Sequence, residues 1–337
     1  MPDRVQGDRL GPLRAMLPLA HALRAFVSRR PVRLVLQFIV IAITVAILAS
    51  NLRGLPEALA GSQVDYRWLA ASLAMTVLTV FAGATAWILI LRGLGQPITW
   101  IDGTRIHVYA NLGKYLPGYA WQLVGKAYLT RRLNVPVRLL AEAMTIEFAE
   151  LAVVGMALAL GLFPAGGGLG WVPQPWVLAL FHWAGLLLFV AAGAGQLALP
   201  MLLQRTRGTA IVRPGPLLAA YLTITAGWLS FGVSFWSIGR SLDNLSLTNV
   251  PVFTFALALS FLVSMAVIVV PAGLGVRESA IVLILAPYVS GPVAVLIAAL
   301  ARVVLLVSEF GSAGLVWLTL RLQAKRISGS KAAIPPR

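Results

Sequence analysis

No cysteine occurs among the 337 residues of this chain. That excludes a disulfide framework, a Cys-ligated metal and a thiol nucleophile. Histidine is nearly as scarce: His21, His107 and His182 are scattered, and no zinc site is expected from them. Acidic residues number 11, and charged residues of all kinds make up 11% of the chain. Soluble domains carry roughly 25%, and a water-soluble globule of this size cannot cover its surface with so few charges. Aspartate is missing from the apolar segments, since Asp3, Asp8, Asp65, Asp102 and Asp243 all lie in tails, loops or segment edges. An aspartate pair that would hold Mg²⁺-diphosphate is therefore absent. The run Gly166-Gly167-Gly168-Leu169-Gly170 has no strand before it and reads as a flexible loop rather than a nucleotide site. Neither a metal nor a cofactor is expected.

What is present is apolar. Hydrophobic residues make up 59% of the chain and the mean hydropathy is +0.87. A helix needs about 20 residues to cross roughly 30 Å of hydrocarbon. Apolar runs of that kind lie at about 34–50, 69–91, 139–162, 176–200, 217–239, 251–270 and 293–320. The expected fold is an all-α integral membrane protein of seven to eight transmembrane helices. A single membrane domain would span 34–320, between an Arg-rich tail at 1–33 and a tail at 321–337. The first run is read as a retained span rather than a cleaved signal, because no cleavage site follows it and many spans do.

Lys and Arg outnumber Asp and Glu by 27 to 11, a net charge of +16. In a soluble chain this would suggest nucleic acid; here it reads as the cationic bias of cytoplasmic loops, and no nucleic-acid partner is expected. The 1–33 tail holds seven arginines, and further cations cluster at 92–138, 201–216 and beyond 320. The intervening loops hold only Arg53, Arg67 and Arg240. Both termini are accordingly expected in the cytoplasm, with Trp171 and Trp176 at the outer interface.

Two stretches resist simple spanning. Residues 101–133 contain short amphiphilic pieces broken at Pro117-Gly118, and an apolar piece of only about 15 residues, 276–290, follows Pro271-Ala272-Gly273-Leu274-Gly275. Proline removes a backbone donor and glycine loosens a helix, so Pro117, Gly118, Pro271, Gly273 and Gly275 are expected as breaks or hinges. Broken backbone at membrane depth is tolerated where it is buried in protein or lines a wet cavity. If 101–133 dips in from the cytoplasm and 251–290 from the other face, the two are inverted copies meeting near mid-membrane, a recurrent transporter design. The rival arrangement has 251–270 and 276–290 both crossing, with the same final orientation. The paired hairpins are preferred.

Ionisable groups in a bilayer are costly and mark function by default. Glu142, Glu147, Glu150, Glu278, Glu309, Arg277 and Arg302 fall inside or at the ends of the apolar segments. Glu147 and Glu150 share a helix face without a local cation. Arg302 and Glu309 lie two turns apart on one face and read equally well as a structural pair or a site; Glu142 is interfacial. The carboxylates Glu147, Glu150, Glu278 and Glu309 would balance cations or hold a proton or cationic group. Gly311-Ser312-Ala313-Gly314 suggests close helix packing more strongly than a serine nucleophile served by His182.

The densest constellation runs from Asn111-Leu112-Gly113-Lys114-Tyr115-Leu116-Pro117-Gly118-Tyr119-Ala120-Trp121-Gln122 to Gly125-Lys126. A helix break, two lysines, amides and aromatics suit an anionic headgroup. They also suit an interfacial loop whose lysines snorkel to lipid phosphates. With Pro271-Ala272-Gly273-Leu274-Gly275-Val276-Arg277-Glu278, this stretch resembles the membrane region of the lysylphosphatidylglycerol synthase/flippase family over about 34–320. The resemblance implies a helical, internally repeated domain that moves lipids or lipid-linked molecules between leaflets of a bacterial cytoplasmic membrane. It departs at Tyr119, where relatives often carry Lys or Arg, and no aminoacyl-transferase domain follows the last span, so lysyl transfer is not expected. The headgroup site is expected from Asn111, Lys114, Tyr115, Trp121, Gln122, Lys126, Arg277 and Arg302. The partners expected are membrane lipids, an anionic phospholipid or a polyprenyl-phosphate-linked lipid, with a homo-oligomer or a separate lipid-modifying enzyme as further candidates. Alternatives are a secondary transporter of a small solute and a lipid-presenting partner of a glycolipid-synthesis enzyme; no enzymatic activity is expected.

Overall fold

A computed structural model describes residues 64–115, 121–164, 174–207, 212–266 and 275–332. The expected first span at 34–50, the breaks Pro117, Gly118, Pro271 and Gly273, and the 165–173 loop lie outside them. Among the described residues there are nine α-helices and no strand: α1 Tyr66–Gly93, α2 Trp100–Asn111, α3 Trp121–Thr130, α4 Val137–Gly161, α5 Pro175–Arg207, α6 Pro214–Leu242, α7 Val250–Ala266, α8 Val276–Leu285 and α9 Gly291–Ala332. Five long helices answer to the spans expected at 69–91, 139–162, 176–200, 217–239 and 293–320.

The ends of these helices are set by local chemistry. Asp65 caps α1 by accepting from the Arg67 N–H at 3.0 Å, and Thr99 caps α2 by accepting from the Asp102 N–H at 3.1 Å. Such caps satisfy donors that the first turn leaves orphaned. Gly275 takes φ 82°, a conformation that costs an L side chain energy. It places its own N–H 2.7 Å from Glu278 Oε2 and so starts α8.

Helices α1 and α6 form the central seam and run antiparallel. The Asp65 N–H donates to the Ser241 carbonyl (2.9 Å) at one end, and the Arg213 N–H donates to the Gly93 carbonyl (2.8 Å) at the other. Between them Ser72, Thr76 and Ser234, all buried, share hydroxyl hydrogen bonds of 2.7–2.9 Å. Small hydroxylated residues let backbones approach and bond across helices where lipid removes the hydrophobic incentive to associate.

Two rims follow from this seam. The basic rim carries Gly93, the start of α2, the end of α3, the start of α4 and Arg213. The opposite rim carries Asp65, Ser241, Gly161 and the start of α5. Helices α2 and α3, of 12 and 10 residues, reach about 15–18 Å, half a bilayer. They fold against each other and return to the basic rim. The turn is tight: a Cβ on Gly113 would come within 2.9 Å of the Trp121 backbone.

The opposite rim bears on the rivalry over 251–290. By length and composition Leu247–Ala266 is able to cross a membrane, but the 10 residues of α8 are not. Thr248, Asn249 and Pro251, at the start of α7, line one pocket with Tyr288, beyond α8, and with Gly161–Pro164. Both ends of the α7–α8 unit therefore sit at the opposite rim, and the unit is a hairpin that dips in and returns.

The chain repeats a pattern of long, short, short, long: α1–α4, then α6–α9, with α5 as the link. The two units are inverted, because α1 opposes α6 and α4 ends at the rim where α9 begins. Their contacts correspond as well, since α9 packs on α1 and α2 while α4 packs on α6 and α7. Helix α5 stands apart, with 11% of its apolar window buried against 39–44% for the other long helices. Its Trp176, Trp183, Leu187 and Val190 face outward.

Candidate functional site

Three ion-pair groups sit where the described arms of the hairpins approach the long helices. In the first, Lys126 on α3 is wholly buried, lies 3.8 Å from the centroid of the Trp87 ring and bonds Glu147 Oε2 on α4. His107 on α2 approaches the other Glu147 oxygen at 3.5 Å. In the second, Glu309 on α9 gathers three donors from the first hairpin: Lys114 and, at 3.3 Å, Asn111 on Oε1, and the Tyr115 hydroxyl on Oε2 at 2.7 Å. Gln122 donates to Asn111 Oδ1 at 3.0 Å and ties the two arms of that hairpin. In the third, Arg302 on α9 bonds Glu278 Oε1 at 2.9 Å, while Glu278 Oε2 holds the Gly275 N–H.

These pairings complete two expectations. Glu147 has no cation nearby in sequence, as expected, and its partner Lys126 comes from 21 residues away on α3. Arg302 and Glu309 share a helix face without pairing; each bonds to a different hairpin, Arg302 to the second and Glu309 to the first. Glu142 bonds Arg138 at 3.1 Å near the basic rim, as its interfacial placement implies. Glu150 is buried, with no hydrogen-bond partner for either oxygen among the described residues.

The groups surround a cavity of about 260 Å³, near the lower end of small-molecule sites at roughly 300 Å³. Its polar wall holds His107, Asn111, Lys114, Gln122, Glu147, Arg277 and Glu309; its apolar wall includes Trp228, Phe231, Phe261 and Leu305. Arg277 opens α8 beside the cavity and lies 5.4 Å from the Phe231 ring centroid. No carboxylate among the described residues comes within ion-pair distance of it. Phe148, midway along α4, lines the cavity and is also 40% exposed on the side of the bundle. Among the described residues the cavity thus opens sideways at mid-helix.

Of the eight residues expected to meet a headgroup, the structure brings Asn111, Lys114, Gln122 and Arg277 to the cavity wall. Lys126 and Arg302 stand behind it, each committed to a carboxylate; Tyr115 holds Glu309, and Trp121 is half exposed at the start of α3. His107 was missed as a site residue. Its signal is its spacing, one turn before Asn111 on the face of α2 that meets the cavity. Ser312 and His182 do not meet: Ser312 Oγ has no partner among the described residues, and His182 bonds the Phe163 carbonyl at 3.1 Å.

A comparison with curated proteins gives no match. The family model described as "Lysylphosphatidylglycerol synthase TM region" matches residues 34–309, which takes in both hairpins, the three ion-pair groups and the first half of α9 as far as Glu309. With its inverted units and hairpins meeting at buried charges, this multi-pass membrane protein belongs to the lysylphosphatidylglycerol synthase transmembrane-region family.

Proposed function

We propose that the protein is a non-enzymatic lipid translocase, which carries an anionic phospholipid or polyprenyl-phosphate-type lipid between the leaflets of a bacterial cytoplasmic membrane. The observation that carries this reading is Arg277: a cation on the cavity wall, with Glu278 and Glu309 in electrostatic reach but no carboxylate in contact with it among the described residues, in a cavity also lined by the 40% exposed Phe148. A guanidinium in such a place without a contacting carboxylate is stabilised further when a ligand of opposite sign reaches it. A phosphate would meet Arg277 with Lys114, Asn111 and Gln122 at hand, while acyl chains stay in the bilayer outside Phe148. The positive-inside rule puts the basic rim in the cytoplasm, so the first hairpin would gate the inner leaflet and the second the outer.

A secondary transporter for a soluble solute needs a cavity closed to lipid, and the opening at Phe148 argues against it. The test is reconstitution into liposomes with fluorescent anionic and zwitterionic phospholipids, scored by quenching of the outer leaflet. Anionic lipid should equilibrate faster than in empty liposomes, and Arg277→Ala should slow it at least ten-fold. Equal rates with and without protein for every lipid class would sink the function. Full activity in Arg277→Ala would sink the site.

A further inference from the structure

The charges around the cavity pair off one to one, with a single cation left over. Lys126 is matched by Glu147, Lys114 by Glu309 and Arg302 by Glu278. Arg277 is the fourth cation, on the cavity wall at the start of α8, with no carboxylate in contact among the described residues. Glu150 does not supply the missing charge. It is 3% exposed, neither oxygen has a hydrogen-bond partner among the described residues, and Glu147 lies one turn away on the same face. A carboxyl so placed keeps its proton and is neutral. His107 is buried too; it faces Glu147 across 3.5 Å while Lys126 holds that carboxylate's other oxygen, and its ring is neutral as well. Nearer the basic rim, Asp102–Arg105 and Arg138–Glu142 cancel in pairs at 3.1 Å. The sequence at 116–120, 165–173, 208–211 and 267–274 holds no Asp, Glu, Lys or Arg, so nothing there alters the count. Four cations thus stand against three carboxylates.

From this we infer that the site is built for one negative charge: it takes a phosphodiester monoanion and discriminates against phosphomonoesters and diphosphates. The inference rests on the lipid-translocase reading above and narrows its substrate class. One negative charge at Arg277 completes the fourth pair and leaves the interior neutral. A second would have no cation of its own, and uncompensated charge at membrane depth is strongly disfavoured. A phosphomonoester carries about −1.5 to −2 at neutral pH, because its second proton leaves near pH 6; a phosphodiester has no second proton to lose. The guanidinium fork of Arg277 suits two oxygens of a tetrahedral oxyanion, and Lys114, Asn111 and Gln122 share the cavity wall with it. A zwitterionic phosphodiester fits less well, since its ammonium would find Glu147, Glu278 and Glu309 each already committed. Free phosphodiesters in water share this chemistry with lipid headgroups. Phe148, on the cavity wall and 40% exposed on the side of the bundle, favours the lipid as the source.

Dihexanoyl phosphatidylmethanol and dihexanoyl phosphatidic acid differ by one methyl group and, at a pH of about 8, by one charge. Calorimetry of both on the purified full-length protein in a neutral detergent is the test. The wild type should bind the methyl ester about ten-fold more tightly than the acid. Glu309→Gln frees the Lys114 ammonium, adds one uncancelled positive charge, and should bring that ratio to unity or reverse it. Glu278→Gln frees Arg302 and should move the ratio the same way. Glu150→Gln should leave the ratio unchanged, because a neutral acid is exchanged for a neutral amide. Dimethyl phosphate, which has the charge without the chains, should bind far more weakly; equal affinity would overturn the lipid as the source. Equal affinity of the wild type for the two lipids, or tighter binding of the acid, would overturn the single-charge site and leave the translocase reading standing. A ratio that collapses in Glu150→Gln would show Glu150 to be charged and overturn the count. Binding of neither lipid would remove the translocase reading and the inference together.

Discussion

Lys126 is the residue on which local physics acts most sharply. It is fully buried under Trp87 and has one carboxylate, Glu147. Removing one partner of such a pair leaves an uncompensated charge and costs roughly 3–5 kcal/mol, whereas replacing both by apolar groups is often neutral. Lys126→Met should therefore lower unfolding stability in detergent by about that amount, and Lys126→Met with Glu147→Leu should recover most of it. If the double variant is as unstable as the sum of the singles, the pair is not an independent unit. Glu309 has a different role, since it neutralises Lys114 at the cavity wall. Glu309→Gln should free that ammonium, tighten binding of a short-chain anionic phospholipid in calorimetry and slow its translocation. Weaker binding would mean that Glu309 mainly shapes the first hairpin. None of these partnerships was legible in the sequence. Helical spacing puts Arg302 and Glu309 on one face, yet their partners Glu278 and Lys114 lie 24 and 195 residues away, and only the hairpin tips bring them together.

At the scale of elements, the short arms on either side of the expected breaks were the readable part. Asn111–Gln122 and Pro271–Glu278 announce interruptions through proline and glycine, and short arms follow in both places. The second hairpin was less legible: its first arm, at 17 residues, has the length and composition of a span. Its return shows only in three dimensions, where Asn249 and Tyr288 share a rim. The positive φ of Gly275 makes a specific demand on that hairpin. Gly275→Ala should cost about 1–2 kcal/mol, the price of a left-handed backbone for an L residue, read as a lower melting temperature in detergent. A melting temperature equal to wild type would show that α8 starts elsewhere. Gly113→Leu should do more, because the nearest atoms are backbone of the facing arm; the readout is faster protease cutting at the tip of the first hairpin.

For the whole molecule, a chain with no cysteine invites single-cysteine labelling. In sealed inverted and right-side-out vesicles, a membrane-impermeant maleimide should reach Cys at positions 249 and 288 from one side. It should reach Cys at positions 100 and 135 from the other. Labelling of 249 and 288 from opposite sides would mean that α7 and α8 both cross, and the inverted pairing of the two units would fall. The overall class was plain from composition, since so few charges leave no other solvent than lipid. The pairing of units was only suggested, because their sequences share a pattern of lengths and breaks rather than residues.

That pairing has a consequence beyond topology. Two antiparallel copies of one plan, joined along the α1–α6 seam, do not have to be in the same posture at the same moment. Any difference between them defines a second conformation of equal plausibility, in which each half adopts the posture of the other and the molecule faces the opposite leaflet. A partner structure for the transport cycle is thus written into this one. Superposing α1–α4 on α6–α9, and then each on the other's place, draws the return stroke without any further coordinates.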